Sequence, residues 1–284
     1  MARNTVQTLR QMADRGEKIT MVTSYDFTMA TLVEQAEINM ILVGDSLGMT
    51  MMGYNDTLPV SMNDMVHHTR CVTRATTNTF VVADMPFMSY QSSVEQAVDN
   101  AGRLMKEGQA QAVKLEGGVA IHDQIRAIVD AGIPVVGHIG MTPQSQNAFG
   151  GFKVQGKNLA AAQRVLDDAL AVQDAGAFAV VLECVPADLA TYVSEQLTTT
   201  FTIGIGAGNG TDGQVLVCQD LLGITPGGFK PKFVRNFASL SEQIIAAYHA
   251  YSDAVKDGSF PAPAHTFTIK SEVMQELKRA HEDA

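Results

Sequence analysis

The chain has 284 residues, 46% of them hydrophobic, and a formal net charge of -10. That size supports one large buried core and matches a single α/β barrel. The acidic balance argues against a nucleic-acid partner and no run approaches the roughly 20 apolar residues of a membrane span; the polar start MARNTVQTLRQMADRG is no secretory leader, so a cytoplasmic location is expected.

That amphipathic start predicts a helix ahead of the first strand. Eight short apolar runs follow, at residues 19–26, 40–46, 79–86, 111–118, 133–140, 178–185, 200–208 and 214–221. Each is a short apolar run bounded by Gly, Pro or polar residues, the pattern of a strand buried on both faces. Between them apolar residues recur at helical spacing, as in 92–106, 121–131 and 159–175. Strand–helix alternation implies a right-handed parallel sheet, and eight units favour closure into a single-domain (β/α)8 TIM barrel. Ser92 and Glu95 have the spacing of a capping box, and Gly108, Gly132 and Gly176 fall where C-terminal capping glycines do. Only residues 209–213 separate the last two strands, so no full helix fits there.

Two Gly-rich loops are long, 46–62 after the second strand and 139–158 after the fifth. They read as lids or substrate walls, or as surface insertions. The barrel is expected to span 1–268. Residues 269–284 form a charged, helix-like extension, solvated or in contact with another subunit. The basic stretch Lys230, Lys232 and Arg235 is expected to cap a helix or meet a partner subunit. Cys71, Cys184 and Cys218 lack metal-type spacing and read as buried, reduced thiols.

Four of the runs end in a carboxylate: Asp45 in MILVGDS, Asp84 in FVVADMP, Glu116 in AVKLEGG and Glu183 in AVVLECV. A buried carboxylate is costly unless it is paired or binds a metal, and the C-terminal end of barrel strands is where chemistry sits. Asp45, next to Ser46, and Asp84 close neighbouring strands, which lie about 4.8 Å apart. The two carboxylates can share one hard cation, and Mg²⁺ keeps waters that substrate oxygens can replace. The alternative is a pair of helix N-caps. Lys114 and Glu116 stand two apart and so share a strand face. Lys114 suits a substrate carboxylate; a structural Lys–Glu pair and a Schiff base are the alternatives, the last disfavoured among carboxylates. His138 is a substrate or metal-shell residue, or a structural histidine. His67 and His68 read as surface or packing residues of a helix. Glu183 lies among apolar residues across the barrel from the second strand; desolvation should raise its pKa toward that of a general base, the alternative being a satisfied core carboxylate. The run GIGAGNGTDG (204–213) lacks the G-x-G-x-x-G spacing and is weak support for a dinucleotide.

These motifs closely resemble the ketopantoate hydroxymethyltransferase family. They are VTSYD, ILVGDSLGMT, TLPV, VVADMPFMSY, KLEGG, PVVGHIGMTPQS, FGGFKVQGK, VLECVP and IGIGAGNGTDGQVLV, in family order across about residues 15–237. The resemblance implies a (β/α)8 barrel that uses Mg²⁺ to bind 3-methyl-2-oxobutanoate, takes one carbon from 5,10-methylenetetrahydrofolate and yields 2-dehydropantoate. It implies metal ligation by Asp45, Asp84 and Glu116 and substrate contact by Asp45, Ser46, Asp84, Lys114 and His138. Glu183 would be the proton acceptor. It also implies a homo-oligomer, a decamer. Two rival readings remain: a Mg²⁺-dependent carbon–carbon lyase or mutase acting on a 2-oxo acid or phosphoenolpyruvate-like substrate, and a non-catalytic barrel. The reactive-Cys loop of KKCGH type is absent, which counts against the lyases, and the full charged set counts against the scaffold.

Overall fold

The structure, a computed structural model, describes residues 3–225 and 231–282. Lys230 lies outside the described residues. Eight strands form a closed barrel: β1 (Ile19–Thr23), β2 (Met40–Val43), β3 (Phe80–Asp84), β4 (Ala112–Glu116), β5 (Val135–Gly140), β6 (Ala179–Glu183), β7 (Phe201–Ile205) and β8 (Gly213–Leu216). Every neighbouring pair is parallel, and β8 pairs with β1 to close the ring. This is the expected (β/α)8 TIM barrel. Each of the first seven predicted runs contains its strand; the last strand starts one residue before its run, at Gly213, and the run bends after Leu216 into a short helix, Cys218–Leu222. No helix separates β7 from β8, as their short spacing required.

The barrel has two apolar layers because strand side chains alternate. Residues such as Ile41, Val43, Val81, Ala83, Val113, Leu115, Val180 and Leu182 face outward to the helices. Their neighbours Met40, Leu42, Phe80, Val82, Ala112, Val136, Ala179 and Val181 fill the interior. The N-terminal helix Val6–Asp14 sends Leu9 into that interior cluster, so it plugs the barrel from one side. Chain contacts define two compact units, Met1–Phe237 and Ala238–Ala284. The second carries the helices Leu240–Asp257 and Ser271–Glu282.

Some local readings shift. Ser92 and Glu95 do not form the capping box: Ser93, in an extended conformation, is the N-cap of the helix Val94–Lys106 and accepts from the Gln96 N–H at 3.1 Å. Gly132 and Gly176 do follow helices with positive φ. After Val94–Lys106 the left-handed residue is Gln109, and Gly108 is there because a Cβ would meet Leu104 O at 2.6 Å and Thr69 Cγ2 at 2.9 Å. Both long loops contain single helical turns, Leu47–Thr50 and Gln146–Phe149. Cys218 is buried, but Cys71 and Cys184 are half-buried, and all three are free thiols. Replacing Ser93 with Ala should cost about 1 kcal/mol in chemical denaturation, against a few tenths (~0.3) for Ser92→Ala. Equal losses would place the cap one residue earlier.

Candidate active site

Strand parity builds the site. On β3 the inward side chains are Phe80, Val82 and Asp84; on β4, Ala112, Lys114 and Glu116; on β5, Val136 and His138; on β6, Ala179, Val181 and Glu183. The charged member is the last of each series, so a polar layer caps an apolar interior at the C-terminal end. Register then chooses neighbours. Asp84 is level with Lys114 and Glu116 with His138. Asp45 lies two residues beyond β2 and its N–H donates to Asp84 Oδ2 at 3.0 Å. Neither aspartate caps a helix: Ser46 and Ser93 hold the adjacent N-cap positions.

Lys114 is the hub of this layer. Its Nζ lies 3.1 Å from Asp84 Oδ1, 3.8 Å from Glu116 Oε1 and 3.0 Å from His138 Nδ1. The tighter carboxylate partner is therefore Asp84, across the strands, and not Glu116 along its own. Burial works against the ammonium, but Asp84, Glu116 and Asp45 outweigh it and raise the Lys114 pKa. A Schiff-base lysine needs the opposite shift.

The carboxylates divide. Burial, Asp84 and Glu116 raise the Asp45 pKa well above the ordinary range, against Lys114 and a hydrogen bond from Gln144. Burial also raises that of Asp84, with Lys114 opposing. Burial pushes Glu116 up too, but His138, Lys114 and the Gln144 N–H prevail and hold it low. For His138, burial and Lys114 lower the ring's pKa, while Glu116 and Glu183 outweigh them and raise it. An ammonium has only hydrogens to offer, so while Lys114 keeps its contact Nδ1 accepts and the ring hydrogen sits on Nε2. A second ring proton requires Lys114 to move or give one up.

Glu183 is 14% exposed, and its Oε2 lies 3.1 Å from His138 Nε2. Its setting is thus less apolar than its neighbours in sequence suggested. The backbone around it is tightly fixed. Gly140, at φ +88, brings β5 so close that a Cβ would sit 2.4 Å from Glu183 O. Met141 N donates to that oxygen at 2.9 Å, and Cys184 follows at φ +50 with its N–H on Ile205 O. Positive φ at a non-glycine is local backbone strain, here beside the candidate carboxylate. Ser46 Oγ meets Tyr25 OH at 2.9 Å, and Tyr25 O is bonded by His68 Nδ1 at 2.7 Å, which gives His68 a packing role.

Sequence reasoning missed Tyr25, Tyr90 and Gln144. Gln144 bonds Asp45, Met85, Tyr90, Gln91 and Glu116 at once. The three are uncharged and sit on connecting loops, so neither charge nor strand position singled them out. A separate cleft of about 370 Å³, lined by Arg3, Thr79 and Gln111 among others, opens at the N-terminal ends of β3 and β4 and holds no carboxylate or histidine.

The donor set fits a hard cation. Asp84 Oδ1 and Glu116 Oε1 are buried and accept no hydrogen bond, with only the Lys114 ammonium beside them as an ion pair, and all the candidate ligands are oxygens. Among the described residues no three His, Cys, Asp or Glu side chains converge tightly enough to form a metal cage unaided. One or two carboxylates with waters is the usual Mg²⁺ arrangement.

A closed barrel with an acidic, lysine-bearing mouth is an enzyme architecture. The chain belongs to the ketopantoate hydroxymethyltransferase family, whose model matches residues 3–263. A 3-methyl-2-oxobutanoate hydroxymethyltransferase of Enterococcus faecalis is 58% identical over 275 residues, covering 97% of this chain and 99% of the relative. One from Syntrophus aciditrophicus is 57% identical over 263 residues, 93% and 96% of the two chains. The protein is thus a one-carbon, hydroxymethyl-transferring enzyme. Phosphonopyruvate hydrolase, solved with oxalate and Mg²⁺, matches in fold with a TM-score of 0.61 at 14% identity over 98% of each chain. The 2,3-dimethylmalate lyase matches at 0.58 and 17%, covering 98% and 95%.

The raised pKa of Asp45 predicts a pH signature. An acid with a raised folded-state pKa binds more protons folded than unfolded, so its contribution is full below about 3.8 and is lost as pH rises toward the folded value. Asp45→Asn keeps an acceptor for Gln144 and removes the charge. In EDTA at pH 7.5 it should melt roughly 2–4 °C above wild type, the shift that about 1 kcal/mol brings in a chain of this size. The gap should close toward pH 4, and a variant less stable at every pH would contradict the sign.

Proposed function

We propose that this protein transfers a hydroxymethyl group from 5,10-methylenetetrahydrofolate to 3-methyl-2-oxobutanoate, giving 2-dehydropantoate for pantothenate and coenzyme A synthesis. The observation that carries the reading is the inward layer in which Asp45, Asp84, Lys114 and Glu116 stand on one side and Glu183 on strand β6 opposite. The high identity to relatives named for this reaction supports it.

Asp45, Asp84 and Glu116 would hold Mg²⁺. When bound, the ion supplies Lewis-acid polarisation of the keto group, which acidifies the neighbouring C–H. Lys114 and Ser46 bind and orient the oxo acid. Glu183 takes the C3 proton, with His138 Nε2 standing 3.1 Å from its Oε2. The enolate carbon bonds to the folate-borne methylene as one of its two C–N bonds breaks, a water oxygen replaces the second nitrogen, and the two folate nitrogens take the proton removed from C3 and one from that water. The loops after β2 and β5 present exposed Met49, Met51, Tyr54, Phe152 and Val154, apolar surface suited to a flat pterin. A cytoplasmic location and a decameric assembly belong to the same proposal. No helix among the described residues is long and apolar enough to cross a membrane.

The test separates enolisation from one-carbon transfer. With folate absent, wild type should exchange the C3 hydrogen of 3-methyl-2-oxobutanoate in D₂O when Mg²⁺ is present and stop in EDTA. Glu183→Gln should still bind the oxo acid but exchange about 10²–10⁴-fold more slowly. Exchange at the wild-type rate would remove Glu183 as the base, and exchange in rigorously metal-free enzyme would remove the metal.

A further inference from the structure

We propose that Gln144 is a positioning residue that decides which oxygen of Asp45, and which of Glu116, faces the barrel interior. The inference rests on the metal reading above and adds the device that sets up the ligands.

The amide has one possible orientation. Its Oε1 accepts from Tyr90 OH at 2.7 Å and from Gln91 Nε2 at 3.1 Å. Its Nε2 donates to Asp45 Oδ2 at 2.8 Å and to Met85 O at 3.0 Å. Both lone pairs and both hydrogens are therefore used. A flipped amide would set its oxygen against a carboxylate and a carbonyl, and its hydrogens against the Gln91 donor. Gln144 is buried, so water cannot make up the loss. Tyr90 is buried as well, and its hydroxyl also accepts from Glu116 N at 3.1 Å, so the reference point for the amide is tied to β4 itself.

The consequence is a matched pattern across three carboxylates. Gln144 Nε2 takes Asp45 Oδ2, and Gln144 N takes Glu116 Oε2 at 2.9 Å. Asp45 N takes Asp84 Oδ2. Each carboxylate then has one oxygen committed to an amide N–H and one turned inward: Asp45 Oδ1, Asp84 Oδ1 and Glu116 Oε1, the last two 3.1 Å and 3.8 Å from the Lys114 ammonium. The last two are the buried oxygens without a hydrogen-bond partner. Carboxylates held this way act as one-oxygen ligands and leave room for water and substrate around a small cation. One residue on the loop after β5 thereby fixes groups from the ends of β2 and β4, which neither strand could fix alone.

Gln144→Met tests this, because it keeps the volume and the backbone N–H but removes the amide. Mn²⁺ affinity of the metal-free protein, read by calorimetry with Mg²⁺ competition, needs no turnover. Loss of an outer hydrogen-bond partner should weaken binding about 10–100-fold, and the buried groups left unpartnered should lower the EDTA melting temperature as well. Should Gln144→Met fail to fold, Tyr90→Phe removes the donor that orients the amide, and several-fold (~5-fold) weaker binding is expected. Affinity within twofold of wild type in a folded variant overturns the role of Gln144. Wild type that binds no Mn²⁺ at millimolar concentration overturns the metal reading, and this inference with it, so the two failures are distinct.

Discussion

Four carboxylates share the barrel mouth with one lysine and one histidine, and the rest of the site follows from that imbalance. Ionised groups are costly to bury without a partner, and like charges a few ångströms apart raise that cost. The chain offsets part of it with N–H donors: Asp45 N for Asp84, Gln144 for Asp45 and Glu116. It offsets more with Lys114, which touches two of the carboxylates. The remainder shows in Asp45 and Asp84, whose pKa values stay raised. A dication matches the charge that is left, and its oxygen ligands are already turned inward. In the proposed reading, affinity for a metal and the strain of the metal-free mouth would be two sides of one electrostatic deficit.

Lys114 and His138 join the two halves of the mouth. Lys114 reaches Asp84 on β3 and His138 on β5, and His138 reaches Glu183 on β6. The chain of contacts crosses four consecutive strands: Asp84 and Lys114 are level, and the partners in each of the next two steps are offset by two residues, so their inward side chains still meet. The ring's tautomer is then a link between sides. While Lys114 donates to Nδ1, the hydrogen on Nε2 faces Glu183. A substrate carboxylate that drew Lys114 away would release Nδ1 and allow a second proton on the ring.

The fold was legible because both of its periods are written in the sequence. Runs such as MILV and FVVAD have the pattern of doubly buried strands, and their count with intervening helical spacing favoured closure. The ionic residues were legible for the same reason: a charge at the end of such a run is conspicuous, as at Asp84 and Glu183. What escaped was anything decided by tertiary contact. Ser93 rather than Ser92 caps its helix because the chain enters extended at Ser93. The preference of Lys114 for Asp84 over Glu116 depends on strand register. Gln144 is an ordinary amide in a loop, and nothing local marks it, since all its partners are far away in the chain apart from its own turn.

The distant fold neighbours sharpen what the barrel alone decides. At 14–17% identity they share the closed ring of strands and little sequence, so the ring does not choose a reaction. A set of oxygen donors at the ends of β2–β4 suits polarisation of any 2-oxo acid, whichever bond then breaks. The choice of bond falls to the group facing that acid from across the ring. In this chain it is a carboxylate, partly exposed, carried on a backbone clamped by Gly140 and Met141 and held beside His138. A fixed anion in that place suits removal of a C–H proton and its later return. The same clamp explains why Gly140 admits no larger residue: the backbone contact that excludes a Cβ is the contact that fixes the backbone of Glu183, the proposed proton acceptor.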